Sequence, residues 1–197
     1  GLRVFSCPTI IESEKDTMKA LSEVKSAGCN AAVVYLGNFG PEGPLSIFAQ
    51  LFDGPVMACA AAEESKDSLV GGRGDAYCGM LNASYSFKLR QLQVYIPQMP
   101  VGLPEELAEK ILHFEAVARV VIGVRRVKVF GFGPRPQDFF ACNAPIKPLY
   151  DLGVEVMENS ELDLLQLFQG VSEKDSQIKK IASEMAAELG KGNCYPE

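Results

Sequence analysis

Short apolar runs alternate with amphipathic stretches along almost the whole chain, and this alternation is the feature that most restricts the fold. The apolar runs are continuous, which is typical of parallel strands that helices cover on both faces. We predict strands at residues 2–6, 31–36, 55–60, 93–96, 127–132 and 154–157. The alternation therefore predicts an α/β fold with an open, mostly parallel sheet and helices on both faces, doubly wound as in Rossmann and flavodoxin-like domains.

Amphipathic patterns predict helices between these strands. The first helix begins near Ser13 and Asp16, a pattern typical of a capping box, and stops before Gly28. Another begins at Pro104, whose fixed backbone angle suits a first helical turn. The predicted helices span residues 13–27, 44–53, 76–91, 104–123, 144–152, 161–170 and 173–190.

The order of these elements allows the 197 residues to span parts of two α/β domains. We predict that residues 1–75 belong to a first α/β domain and that residues 76–172 form a second α/β unit. Residues 173–197 are then a helix that leads towards a further domain. Both ends of the sequence read as the interior of a longer polypeptide, so we expect a fragment.

Charge and composition argue against several classes of protein. The formal net charge is −6, and an acidic surface repels phosphate backbones, so we expect no nucleic-acid partner. No apolar run reaches the roughly 18 residues of a transmembrane helix, and no signal peptide is recognisable, so we expect no membrane association. The six cysteines follow no metal-binding spacing. This pattern predicts reduced, buried thiols and a cytoplasmic location.

Ligands of open α/β sheets bind where the parallel strands end, so the loops at that edge are the candidate sites. The loop at 37–44 offers the Asn38 amide and the Phe39 ring, groups that bind hydroxyl-rich sugars. An ordinary strand-to-helix connection explains this loop equally well. The segment 61–75 is long for a compact domain and holds Arg73 in a glycine-rich stretch, which suits approach to a ligand or a neighbouring subunit.

The loop after the predicted strand at 127–132 contains two glycines, Arg135 and Gln137. The glycines match the first two of a dinucleotide-binding fingerprint, but the third is missing, so we do not expect a nucleotide site. Arg135 in this position is suited to hold an anion or a hydroxyl group. The alternative is a surface arginine in a proline-rich turn.

Three segments point together to a known family. They are RVKVFGFGPRPQDFFACN at 126–143, LGVEV at 152–156 followed by SEL, and DAYCGMLNAS at 75–84 leading to Leu89-Arg90. In the first, a strand ends in glycine and an Arg-Pro loop leads into an aromatic-rich stretch. These segments resemble the L-fucose isomerase and L-arabinose isomerase-like proteins, and the resemblance extends over about residues 1–172.

The resemblance implies an aldose–ketose isomerase that acts on a deoxy sugar or a pentose with a divalent metal, usually Mn²⁺. It also implies a homo-oligomer, a trimer or hexamer, in which amino-terminal domains help to close a neighbouring subunit's active site. The family's metal ligands come from the carboxyl-terminal half, and no segment here matches them. We therefore assign no catalytic or metal-binding residue and expect no cofactor bound by this chain.

These observations predict the amino-terminal and central portion of a sugar isomerase-like protein, inactive by itself, that supplies scaffold, oligomer contacts and substrate-facing loops. The predicted sugar-contacting residues are Asn38, Phe39, Arg73, Asn82, Arg135 and Gln137. Two alternatives stay open. One is a stand-alone sugar-binding module without catalysis, and the other is a structural domain that mainly oligomerises.

Overall fold

The computed structural model of the protein describes residues 2–63, 74–133, 138–142 and 145–190, with Phe140 described by its backbone alone. The chain divides into two compact units, Gly1–Arg125 and Arg126–Glu197. The boundary predicted after residue 75 lies inside the first unit, because the helix that follows it packs on the strand that precedes it. Each unit is described by itself below.

The first unit is built on a four-stranded, fully parallel sheet. Its strands are β1 (Ala32–Leu36), β2 (Val56–Ala61), β3 (Val94–Tyr95) and β4 (Val101–Gly102). β2 is central: β1 pairs along one of its edges, while β3 and β4 pair with the beginning and the end of the other. Four helices accompany the sheet, namely α1 (Glu14–Ser26), α2 (Glu42–Leu51), α3 (Ala76–Leu89) and α4 (Pro104–Val124).

Both faces of β2 are buried, which explains why its sequence is apolar at every position. On one face, the small side chains of Ala58 and Ala60 pack in a cluster with residues of α2 and α3. On the other face, Met57 and Cys59 pack against Leu107 and other residues of α4. Helices therefore cover the sheet on both sides, and the predicted open, doubly wound α/β class is confirmed.

Local sequence signals set the ends of these helices. The Ser13 hydroxyl accepts a hydrogen bond from the Asp16 amide at 3.3 Å and caps α1. α1 ends before Gly28, whose positive φ of 68° is a conformation that glycine adopts without strain. At the start of α4, the Glu106 carboxylate accepts from the Leu103 amide at 2.9 Å. These signals explain why the predicted helix boundaries lie close to the observed ones.

The second unit contains a two-stranded parallel sheet. Its elements are β5 (Lys128–Phe132), a 3-10 turn (Phe140–Cys142), α5 (Lys147–Asp151), β6 (Glu155–Asn159), α6 (Glu161–Gly170) and α7 (Ser176–Leu189). β5 and β6 pair from Lys128 opposite Glu155 to Phe132 opposite Asn159. Among the residues that the structure describes in this unit, Val154 is the single buried hydrophobic residue. The other apolar side chains that the structure describes in this unit are therefore at least partly open to solvent.

Two predictions about the chain are wrong. Residues 2–6 are not a strand, because no neighbouring strand in the described residues pairs with them, and extended backbone forms a strand only through such bonds. The thiols are not all buried. Of the five cysteines that the structure describes, Cys59 is buried, whereas Cys78 and Cys142 are exposed. None of the described helices has the length and apolar character needed to cross a membrane.

Candidate functional site

The carboxyl ends of β1 and β2 meet the first turn of α3, and the candidate site lies there. The loop after β1 places Asn38 so that its side-chain oxygen accepts two backbone hydrogen bonds. One comes from the Phe39 amide at 2.7 Å and the other from the Asp75 amide at 3.2 Å. Asn38 therefore joins the end of the first strand to the start of a helix 37 residues later in the chain.

Glu63, which follows β2, also binds the start of α3. It lies two residues beyond the end of β2, and its carboxylate oxygen accepts from the amide of Ala76 at 2.6 Å. Carboxylates are stabilised at helix amino termini because the first N–H groups of a helix have no partner within it. We use the name edge site for Asn38, Phe39, Glu63, Asp75 and Cys78, which surround this helix start.

Gly79 allows α3 to approach the loop closely. A Cβ atom at this position would lie 3.2 Å from Leu36 Cδ2, 3.2 Å from Phe39 Cα and 3.3 Å from the Asn38 carbonyl oxygen. These separations are tighter than ordinary van der Waals contact. A glycine in the first turns of α3 is therefore what lets the helix rest against the Asn38–Phe39 backbone.

The edge site has a negative electrostatic character. The Asp75 carboxylate, as a hydrogen-bond acceptor for the Cys78 thiol, is the main cause that raises the pKa of Cys78. Partial desolvation and the negative charges of Asp75 and Glu63 raise this pKa further. A thiol held in the protonated form is a poor nucleophile, so the arrangement favours binding through hydrogen bonds over thiolate chemistry.

The neighbouring loop after β4 is tightly tied to β2. The amide of Ala62 donates to the carbonyl oxygen of Gly102 at 2.9 Å. A Cβ atom on Gly102 would come within 2.8 Å of a Glu106 carboxylate oxygen, so a larger residue there would push the Glu106 side chain away from its bond to the Leu103 amide. The edge of the sheet beside Glu63 is therefore rigidly defined.

The structure brings some of the predicted sugar-contacting residues together. Asn38 and Phe39 are adjacent and exposed at the edge site. Asn82 is half-buried on α3, one turn beyond Gly79 and on the same side of the helix. The predictions for Arg73, Arg135 and Gln137 fall outside the described residues. A sugar-contacting role stays a prediction for all six.

Glu63 and Asp75 are members of the edge site that were not predicted from the sequence. Both lie at the borders of the long segment 61–75, and nothing local to either residue indicates that they converge on one helix start. A cue was nevertheless present, because an acidic residue directly before the predicted helix at 76 favours its amino terminus.

The described residues do not form a metal site. Among residues 2–63, 74–133, 138–142 and 145–190, no group of three or more His, Cys, Asp or Glu side chains could hold a metal ion. The Glu63 carboxylate accepts a hydrogen bond from a backbone amide, and the Asp75 carboxylate raises the pKa of the Cys78 thiol. The Mn²⁺ that the resemblance implies for the complete family enzyme therefore does not fit the edge site, and no chemical step is assigned through it here.

Of the comparisons with known proteins, one gives a match, and this match is to a family model. No curated protein sequence matches the chain. The family model of the N-terminal domain of fucose/sulfoquinovose isomerase matches residues 1–125. This matched span coincides with the first structural unit, which contains the whole edge site. The chain belongs to the fucose/sulfoquinovose isomerase family and carries its N-terminal domain at residues 1–125.

Proposed function

We propose that the edge site contacts the sugar substrate of an aldose–ketose isomerase. The observation that carries this proposal is the geometry of Asn38. Its side-chain oxygen is used by two backbone amides, which fixes the amide plane. The side-chain NH₂ group makes no hydrogen bond to any residue that the structure describes, and the residue is exposed. A fixed donor that faces solvent suits recognition of a sugar hydroxyl.

The other members of the edge site supply complementary groups. The Phe39 ring is about half exposed and offers an apolar surface for the C–H face of a sugar ring. Asp75 and Glu63 offer carboxylate oxygens that can accept from hydroxyl groups. The two carboxylates give the described part of the site a negative formal charge.

The chain has a supporting role in the complete enzyme under this proposal. The isomerisation is a proton transfer between neighbouring sugar carbons and needs a base and an acid near those carbons. We assign neither role to the edge site, because the Glu63 carboxylate is bonded to the Ala76 amide of α3 and the raised pKa of the Cys78 thiol disfavours its thiolate form. Catalytic groups and the expected Mn²⁺ then belong to other parts of the isomerase, and this chain alone is inactive. We also propose a cytoplasmic location, which the free thiols of the five cysteines that the structure describes support.

Amide chemical shifts of the 197-residue chain, recorded by NMR during a titration with L-fucose, test the proposal. We expect saturable shifts at Asn38, Phe39 and Asp75, with a dissociation constant in the millimolar range, roughly −4 kcal/mol of binding free energy. Asn38→Ala should weaken binding at least fivefold because it removes the fixed donor and loosens the loop. Gln50→Ala, an exposed amide on α2, is the matched control and should bind as the unchanged chain does.

The same titration separates the proposal from its alternatives. Fucose shifts confined to residues outside the edge site, or equal affinity in the Asn38→Ala and Gln50→Ala proteins, would refute it. A stand-alone binding module binds the sugar but shows no ketose formation even when the remaining parts of a family isomerase are supplied. A purely structural domain shows no ligand-induced rise in melting temperature, because only ligands that bind the folded state stabilise it.

A further inference from the structure

The carboxyl-terminal end of α3 and the beginning of β3 border an open cavity of about 670 Å³, which we name the α3-end cavity. Its volume lies in the range of small-molecule sites. α3 has 14 residues, and a helix rises about 1.5 Å per residue, so the cavity lies roughly 20 Å from the edge site at the other end of the helix. A small ligand in this cavity therefore does not contact a sugar bound at the edge site.

A tight turn at the end of α3 builds one wall of the cavity. The Leu92 amide donates to the Phe87 carbonyl oxygen at 2.9 Å, and the Gln91 amide donates to the Lys88 carbonyl oxygen at 3.0 Å. These two bonds form a Schellman motif. The Phe87 side chain is buried in the core of the first unit, and Leu92 packs against the same cluster. Both residues line the cavity, which therefore has an apolar wall anchored in the core.

Gln91 occupies a position in this turn that glycine usually fills. Its φ is 56°, a left-handed conformation that residues other than glycine adopt at a cost in free energy. Costs of this kind are concentrated at functional sites. Gln91 lines the cavity, so the strained backbone places an amide side chain where glycine would place none.

Three polar side chains of the cavity are available to a ligand. Lys88, Gln91 and Gln93 line the cavity and are exposed. Their side chains make no hydrogen bond or ion pair with any residue that the structure describes. One ammonium group and two amide groups can therefore donate hydrogen bonds into a cavity that also has an apolar wall.

The charge of the segment that builds the cavity favours an anion. The chain has 25 acidic residues and a net charge of −6, yet residues 76–104 contain no Asp or Glu and two cations, Lys88 and Arg90. On the neighbouring strand side, Asp53 precedes β2 but does not line the cavity. An anionic ligand therefore meets a cation in the cavity itself and no carboxylate among the lining residues.

We propose that the α3-end cavity binds a small organic carboxylate with an apolar body. The carboxylate group accepts hydrogen bonds from Lys88, Gln91 and Gln93, and the apolar body lies against Phe87 and Leu92. A carboxylate carries one negative charge, which the single lysine neutralises, whereas a phosphate group carries up to two. The proposal does not depend on sugar binding by the edge site.

Amide chemical shifts of the 197-residue chain, recorded by NMR during a titration with hexanoate, test this proposal. We expect saturable shifts at Lys88, Gln91 and Gln93, with a dissociation constant of roughly 0.1–10 mM. Hexanamide has the same apolar body but no charge. It should bind at least tenfold more weakly, because hydrogen bonds to a charged acceptor are the stronger ones.

Two variants test the assigned side chains. Lys88→Met keeps the apolar stem, removes the charge and should weaken hexanoate binding at least fivefold. Lys25→Met is the matched control, because Lys25 is also an exposed lysine in the last turn of a helix, and it should bind hexanoate as the unchanged chain does. Gln91→Gly removes the amide and relieves the backbone, so it should raise the melting temperature and yet weaken binding at least threefold. A purely structural role of Gln91 would not give this combination.

Three results would overturn the proposal. One is the absence of saturable shifts at these residues up to about 50 mM hexanoate, roughly five times the weakest dissociation constant expected. Another is equal affinity for hexanoate and hexanamide. The third is a Lys88→Met or Gln91→Gly chain that binds hexanoate as tightly as the unchanged chain.

Discussion

Replacing Gly79 by alanine probes the contact between α3 and the loop that carries Asn38. The added methyl group would meet Leu36 Cδ2 and Phe39 Cα at 3.2 Å, where ordinary contacts begin at about 3.4 Å. Two of its three nearest neighbours are backbone atoms of the loop, which cannot move aside as a flexible side-chain end can. The loop or the helix must therefore shift by a few tenths of an ångström.

Two opposing effects set the size of the change. Alanine is more favourable than glycine inside a helix by about 1 kcal/mol. Overpacking of a closely fitted contact costs typically 1–3 kcal/mol. The free energy of unfolding should therefore decrease by up to about 2 kcal/mol in Gly79→Ala. Gly123, near the end of α4, has no atom within 4 Å of a built Cβ, so Gly123→Ala should increase it by about 0.5–1 kcal/mol.

Urea unfolding followed by far-UV circular dichroism measures both variants against the unchanged chain. Both glycines lie in the first unit, so the same unfolding transition reports on both. Gly123→Ala should be more stable than Gly79→Ala by at least about 0.5 kcal/mol. Equal stabilisation by both would refute the close approach of α3 to the Asn38–Phe39 backbone. Displacement of that backbone should also weaken fucose binding in Gly79→Ala alone.

Two further predictions concern buried groups of the first unit. The hydroxyls of Ser46 and Ser86 lie 2.8 Å apart and are buried, so Ser46→Ala should reduce the free energy of unfolding by about 1–3 kcal/mol. The double variant Ser46→Ala/Ser86→Ala should lose less than the sum of the two single changes, and strict additivity in urea unfolding would contradict the pairing. Burial raises the pKa of the Cys59 thiol from 9.0 to about 11. The thiol of the unfolded chain loses its proton at a lower pH than the buried thiol does, so the free energy of unfolding should decline as pH rises from 9 to 11. Melting temperatures measured across that range should decline less in Cys59→Ala than in the unchanged chain.

Periodicity predicted the larger elements of the fold well. β1 and β2 are observed within one residue of their predicted ends, because continuous apolar runs require burial on both faces of a sheet. β4 was not predicted, since its two residues owe their strand geometry to pairing with the end of β2 and carry no local pattern. Residues 2–6 show the reverse case. Their pattern suits a strand, but a strand also needs a neighbour.

The candidate site could be predicted only in part for the same reason. Asn38 and Phe39 were recognisable because they directly follow a predicted strand, and the end of a parallel strand is a common place for ligands. The role of Glu63 depends on its hydrogen bond to the Ala76 amide, 13 residues further along the chain. Long-range hydrogen bonds of this kind follow from how the elements pack, and no local pattern of residues specifies them.

The split edge of β2 has a consequence for how the first unit forms during synthesis. The residues of β2 that pair with β4 cannot do so until 41 further residues have been synthesised, since Ala60 pairs with Val101 and Ala61 with Gly102. At translation rates of about 5–20 residues per second, this delay is roughly 2–8 s. Until β3 is synthesised the whole of this edge of β2 has no partner, its end has none until β4 follows, and unpaired edges are templates for aggregation. The nascent chain is therefore most vulnerable to misassembly after β2 emerges and before β4 does.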